Sequence, residues 1–405
     1  MTSSNISGLR TLSGWLLAST AVLTPNLAHA NEWYNAVKQG SGFADFRLRY
    51  EAVDQDNALE DAEALTLRSL VGYSSGEHNG WSFTAELEDV RVVAGIDDYA
   101  VPPTGFNTGI YSVIADPETS ELHQGFIQYK TQTLTIKAGR QVIALDSQRF
   151  IGHVGWRQNW QTFDALSANY QNEHLQIFYG YVTQRNRIFA GAADMDSDDH
   201  LLNASYQNSW GKINAYAYLL EIDNDVRNSL DTYGMSYSGQ TQTDTIKWLY
   251  GLEFARQTST YENTEFDASY VMLNAGAEVA GITAKVNWEV LGSDDKNYGF
   301  ATPLATLHKF NGWADQFLTT PDEGLEDLSF LVAGKIAGGS WLITYHDFSA
   351  NESGTEADDL GNELDLQYNI KVSDLLNFGL KYASYKGADI SADTNKLWVW
   401  VGARF

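Results

Sequence analysis

The stretch KLWVWVGARF (396–405) alternates without a break. Leu397, Val399, Val401, Ala403 and Phe405 fall on one side of an extended chain, because strand side chains point to opposite faces with a period of two. In a soluble domain an apolar ladder ending on an aromatic would leave a frayed, sticky end, since termini are poorly ordered unless something ties them down. The same ladder suits a seam: the five residues face lipid, and this last strand closes a barrel against the first. The alternative is the edge strand of a soluble β-sandwich, which seldom uses so many strands in one domain.

Working outward, the same period recurs. In ADFRLRYEA (44–52), Ala44, Phe46, Leu48, Tyr50 and Ala52 oppose Asp45, Arg47, Arg49 and Glu51. In ITAKVNWEV (282–290), Lys285, Asn287 and Glu289 lie opposite the apolar set, and ELDLQYNIK (363–371) divides in the same way. Eighteen candidate strands, from Gly42–Val53 to Asn395–Phe405, are joined alternately by short turns and long loops. SSGEHNG (74–80) and AGGS (337–340) are short, rich in residues that turn the chain. Residues 94–121, 190–199 and 349–361 are long and acidic. Strands of about ten residues in this rhythm predict an all-β fold, a transmembrane antiparallel barrel of the bacterial outer membrane, with 18 strands. Its even count puts both chain ends and every short turn on the periplasmic side.

The beginning of the chain agrees. Arg10, the apolar run Leu12–Leu23 and the small-residue site Ala28-His29-Ala30 predict a cleaved signal peptide over 1–30. Residues 31–405 then form a single barrel domain, because no Pro-rich, Ser-rich or low-complexity linker divides them. Losing Arg10 leaves 25 basic against 52 acidic residues, a net charge of −27. That balance excludes nucleic acid as a partner. The absence of cysteine excludes disulfides, thiolate metal sites and a cysteine nucleophile.

Catalytic chemistry finds little support. His78, His123, His153, His174, His200, His308 and His346 show no metal-ligand spacing. GMSYSG (234–239) has Ser238 where a nucleophile elbow needs glycine, and no strand-to-helix context surrounds it. Asp194, Asp196 and Asp198 are spaced as in a calcium loop, but Asp199 and Ser205 replace its glycine and glutamate. They read as a solvated loop. No enzyme, metal site or cofactor is expected.

The barrel interior carries more information. Arg47, Arg49, Lys137, Arg140, Arg149, Arg157, Arg185 and Arg187 could form a basic track that concentrates an anionic solute. Alternatively they pair with carboxylates such as Asp45, Glu51, Asp146 and Asp164 and hold the lumen rigid; a guanidinium serves either role. The loop 293–325 is long enough to fold inward and narrow the lumen. Its LHKFNGWADQF places His308, Lys309, Trp313 and Asp315 together, a mixture suited to stacking on and hydrogen-bonding a sugar. Phe310, Trp313 and Phe317 could equally anchor the loop to the wall.

Two segments go beyond periodicity. GRQVIALDSQRFIGHVGWRQNWQTFDA (139–165) and TPLATLHKFNGWADQFLTTPDEGLEDL (302–328), with FRLRYE (46–51) and the closing strand, resemble the alginate-export family of outer-membrane barrels. The resemblance implies a monomeric eighteen-stranded channel with inward loops and a basic lumen, passively moving an anionic or carbohydrate solute and working with a periplasmic scaffold partner. It makes Arg47, Arg49, Arg140, Arg149 and Arg157 candidate anion contacts. A terminal Phe on such a strand resembles the signal read by the outer-membrane assembly machinery. Outer-membrane lipid and lipopolysaccharide are the surrounding partners. Two rival readings are an adhesin or structural barrel without transport, and an outer-membrane hydrolase.

Overall fold

The structure, a computed structural model, describes residues 27–223, 228–353, 358–388 and 391–405. Helix α1, Leu27–Lys38, precedes the first strand. The strands begin with β1 Ser41–Gln55, β2 Ala62–Ser74, β3 Trp81–Asp98, β4 Thr119–Lys130, β5 Leu134–Gln141 and β6 Thr162–Gln171. They continue with β7 Leu175–Asn186, β8 Met195–Asn208, β9 Gly211–Glu221, β10 Asn228–Thr243, β11 Ile246–Tyr261 and β12 Thr264–Val279. The last six are β13 Ile282–Leu291, β14 Leu325–Ile336, β15 Gly339–Ser349, β16 Asp359–Lys371, β17 Leu376–Lys386 and β18 Thr394–Arg404.

Every strand is antiparallel to its sequence neighbours, and β1 pairs with β18 from Asp45 opposite Arg404 to Gln55 opposite Thr394. Closure leaves the sheet no free edge. Phe405 completes the seam: its N–H donates to the Ala44 carbonyl (2.9 Å), and its carbonyl accepts from the Ala44 N–H (3.2 Å). The expected closed eighteen-stranded barrel is thus the observed fold.

Alternation sets the two surfaces. Leu48, Val71, Leu87, Ile127, Leu166, Leu252, Phe330 and Val401 are exposed on the outward face. Arg49, Glu51, Arg68, Glu88 and Glu289 point inward and are buried. In water that outer face would be an aggregation surface; against hydrocarbon it is the required solvent face.

Several strands run further than the alternation indicates. β8 begins at Met195 rather than His200, β3 continues to Asp98, and β10 and β11 run on to Thr243 and Tyr261. The aspartates of 196–199 are therefore strand residues: β7 pairs with β8 as far as Arg185 opposite Met195. Beyond the hydrocarbon both faces of a strand meet water, so the apolar alternation fades while the backbone ladder continues. An extended strand spreads its carboxylates along the ladder, unlike a loop that curls around a cation. The expected leader lies outside the described residues except for 27–30, which begin α1.

Candidate functional site

Three of the long connections, 99–118, 142–161 and 292–324, turn into the lumen. In the first, Tyr99, Val101 and Ile114 pack on Val53, Ala62 and Ala64 of the wall. The second and third are built as one body. Gly152 N–H donates to the Leu304 carbonyl (2.8 Å), and Thr306 N–H donates to the Gln148 carbonyl (3.0 Å). Gln161 Nε2 bridges the Gly152 and Leu304 carbonyls (2.8 and 3.2 Å). Phe150 fills the space between Tyr216, Tyr218, Tyr270 and Phe300, with ring centroids 5.1–6.2 Å apart. This is a small hydrophobic core inside a barrel, and it lets two long loops hold a fixed shape.

Arginines dock that body to the wall of β1. Arg47 Nε donates to Gln158 Oε1 (2.8 Å), and its other nitrogens donate to the Gly155 (3.2 Å) and Arg157 carbonyls. Arg49 donates to the Trp156 carbonyl (2.6 Å) and to Asp116. Arg157 Nη1 reaches both Glu51 oxygens (3.0 and 3.1 Å), and Nη2 reaches Asp315 Oδ2 (2.8 Å). One planar guanidinium thus joins wall and both loops, a geometry lysine cannot copy.

Asp315 is the ionic hub of the third loop, with Lys396 Nζ at 3.2 Å and His308 Nδ1 at 2.7 Å. Burial alone would push its carboxyl up, but His308, Lys396 and Arg157 hold it well below the ordinary carboxylate range. His308 Nε2 lies 2.7 Å from Lys381 Nζ. An ammonium only donates, so Nε2 accepts and Nδ1–H donates to Asp315. Burial, with help from the Lys381 and Arg157 cations, lowers the imidazole's affinity for a second proton despite Asp315. Lys381 is itself covered by Trp313 at 3.5 Å and Trp156 at 4.2 Å, one ring from each loop.

The tip of the third loop turns at Asn311 (φ 54°) and Gly312 (φ 84°). Glycine is required at 312, because the backbone there is left-handed and a Cβ would run into the buried Glu363 carboxylate. Asn311 Nδ2 donates to Glu289 Oε2 (2.7 Å) and Asp327 Oδ2 (3.1 Å), and Ala314 N–H donates to Glu363 Oε1 (2.7 Å). Acidic wall residues receive this turn, as basic ones receive the other.

Beneath the loops lies a cavity of about 670 Å³, bounded by the inward faces of β11 to β17. It presents rings (Trp156, Tyr270, Phe310, Trp313), amides (Asn274, Asn287, Asn311, Gln367) and charges of both signs, including Lys285, Arg149, Glu289 and Asp327. Lys285 and Asn287 make no side-chain hydrogen bond or ion pair among the described residues.

The sequence-derived candidates divide into groups. His308, Lys309, Trp313 and Arg149 line the cavity. Lys309 Nζ donates to the Ser147 carbonyl (2.8 Å), and Arg149 pairs with Glu289 (2.9 Å). Asp315, Arg47, Arg49 and Arg157 lie among the docking contacts. Lys137 faces the lumen elsewhere, 4.4 Å from the Phe126 ring. Arg185 is closed on Asp199 by two contacts (2.9 and 2.6 Å). Arg140 shares the outward parity of Ile136 and Ala138 and holds Asp164 bidentately (2.7 and 3.0 Å). Sequence reasoning did not single out Glu289, Asp327, Glu363, Lys381 or Lys285 as site residues; their signal was an inward polar position on an otherwise apolar strand.

Comparison with known proteins fits this architecture. The family model described as alginate export matches residues 41–298. The chain belongs to the alginate export family. Its fold is also that of solved outer-membrane channels. OccAB4 of Acinetobacter baumannii superposes with a TM-score of 0.73 at 12% identity, over 91% of this chain and 98% of that one. OccK9 (OpdG) of Pseudomonas aeruginosa gives 0.71 at 14%, over 91% and 100%. OpdK of the same organism, solved with vanillate, gives 0.70 at 13%, over 90% and 98%. No curated protein sequence matches. This alginate export family member is an outer-membrane β-barrel of the porin kind, a passive channel.

Proposed function

We propose that the channel passes a hydroxyl-rich solute, a neutral sugar or a uronate with isolated carboxylates, and that the cavity beneath the loops is where the solute is held in transit. The observation that carries this reading is the cavity lining: flat rings beside amides and paired charges, at a volume within the range of small-molecule sites. Rings stack on the apolar faces of a sugar, and amides exchange hydrogen bonds with its hydroxyls. Five of the eight candidate cations, Arg49, Arg140, Arg149, Arg157 and Arg185, are paired with carboxylates. A dense polyanion would therefore meet a largely neutralised wall.

Transport needs no catalysis in this reading. The buried histidines have structural duties, His308 between Asp315 and Lys381, and His346 beside Asp327 (2.9 Å). The protein works as a monomer, is exported by a leader over 1–30, and is inserted by assembly machinery that reads β18 and Phe405. A periplasmic scaffold partner belongs to the same reading.

The test is single-channel current in planar bilayers, with neutral oligosaccharides, oligouronates and simple salts added in turn. Saturable interruption of the current by the sugars is expected, with oligouronates no more than a few-fold stronger than neutral sugars. A barrel with no open-channel current would overturn transport and leave the adhesin role. Current that is insensitive to every sugar would overturn the assigned solute.

A further inference from the structure

Helix α1 does not lie over the pore. It crosses the β2–β3 turn at 75–80, where His78 Nε2 also lies 3.5 Å from Glu32 Oε2. The Tyr73 hydroxyl donates to the Val37 carbonyl, Gly76 N–H donates to the Ala36 carbonyl (2.8 Å), and the Trp33 ring meets His78 edge-on at 5.1 Å. Tyr73 decides the side of the wall. It shares the parity of Leu65, Leu67 and Val71, the outward set, opposite the buried Thr66, Arg68 and Leu70. The helix backbone is thus fastened by a side chain that points at lipid.

Tyr73 belongs to a belt of outward aromatics at this rim. Its ring lies 5.9 Å from Phe83, Trp81 lies 5.0 Å from Tyr129, and Phe46 lies 6.3 Å from Phe405. Such girdles mark the level of the headgroups. The helix continues the belt with two unlike faces. Ala36 is buried toward the turn, whereas Trp33, Tyr34 and Val37 are 40%, 57% and 44% exposed. Lys38 sits beside them, its ammonium 4.9 Å over the Tyr34 ring. Spacings of one, four and five residues bring these four side chains to one helix face.

We propose that this face lies in the headgroup layer of the periplasmic leaflet, so that α1 is an interfacial helix extending the barrel's lipid contact. The occupant is phospholipid, because the face is continuous with the aromatic belt and carries the same chemistry. Indole and phenol rings favour the boundary where one end is apolar and the other wet. A lysine there lays its stem along the apolar surface and keeps its charge in water. A helix this short is marginal alone in water, and two surfaces, turn and lipid, hold it.

The chain has no cysteine, so Tyr34→Cys gives a single labelling site for an environment-sensitive fluorophore. The exported protein, carrying residues 31–405, would be reconstituted in phosphatidylethanolamine–phosphatidylglycerol liposomes. Blue-shifted emission is expected, quenched several-fold more by phospholipid spin-labelled near the headgroup than by aqueous iodide. A label at Glu262→Cys, at the tip of the β11–β12 hairpin on the opposite end, should show the reverse. Adding Trp33→Ser and Val37→Ser should remove at least half the lipid quenching while the barrel keeps its heat-modifiable mobility in gels. A Tyr34→Cys label that behaves like the Glu262→Cys label would overturn the proposal, placing the face in water or against a protein.

Discussion

The β1 wall and the β13–β16 wall meet the same inward body and treat it differently. On the β1 side, Arg47, Arg49 and Glu51 bind backbone carbonyls and loop charges, so that strand and loop are joined directly. On the other side, Glu289, Asp327 and Glu363 take hold of one tight turn, and below it the wall is free to line a cavity. Charged residues facing a lumen therefore do two kinds of work. One wall holds the constriction in place; the other carries the space a solute can enter.

The sharpest way to break this division is to remove the shared body. Replacing residues 303–319 by a short Gly-Ser linker deletes the Asp315 hub, the Asn311 turn and the partners of Gly152 and Gln148. Single-channel conductance is expected to rise several-fold, with sugar interruption lost, because the cavity loses its roof and Trp313. Unchanged conductance would mean that this loop does not set the constriction.

A narrower break falls on the β1 side alone. Arg157→Ala leaves Glu51 and Asp315 buried without their shared cation. Breaking a buried pair in this way costs about 3–5 kcal/mol, here charged against loop docking while the barrel stays closed. Hydrogen exchange across 142–161 should accelerate by orders of magnitude, and the current should flicker between two levels. Arg157→Lys should rescue little, since one ammonium cannot span the two carboxylates with Arg157's geometry.

These contrasts also explain what the sequence made legible. Strand number, closure and inward parity were readable because hydrocarbon outside and water inside impose a strict period of two. Beyond the hydrocarbon that contrast ends, so the start of β8 at Met195 and the extension of β3 to Asp98 left no apolar trace. The charged lumen residues were readable as a set; their partners were not. Arg47 and Gln158 are 111 positions apart, and Arg157 and Asp315 are 158 apart. Pairing at such separations depends on how two loops fold, and nothing local in Arg157 distinguishes a docking residue from a solute contact. Asn311-Gly312 carried a local signal that went unread, since such a dipeptide favours a left-handed turn.

The converse substitution sharpens the comparison on the cavity side. Lys285→Met with Asn287→Ala changes only wall residues that face the cavity and hold no loop. Sugar affinity, read from current interruption, should fall about tenfold, in line with the loss of one or two hydrogen bonds to a bound solute. Open conductance and exchange across 142–161 should remain at wild-type values. If exchange accelerates as well, the two walls are not separable.

The smallest effect concerns pH. Asp315 has its folded value held well below the ordinary 3.8 of an aspartate. A depressed carboxylate stabilises the docked loop fully above its unfolded value, and that contribution is lost as pH falls through the lower folded value. Open-channel current and its flicker should therefore stay level from pH 8 to about 4, and instability should set in only on further acidification. His308 adds no step within the upper range, because burial already keeps it neutral there. Asp315→Asn should flicker at every pH and lose the acid step. A wild-type transition between pH 6 and 7 would show that a group titrating near neutrality, rather than the Asp315 hub, fastens the loop to its wall.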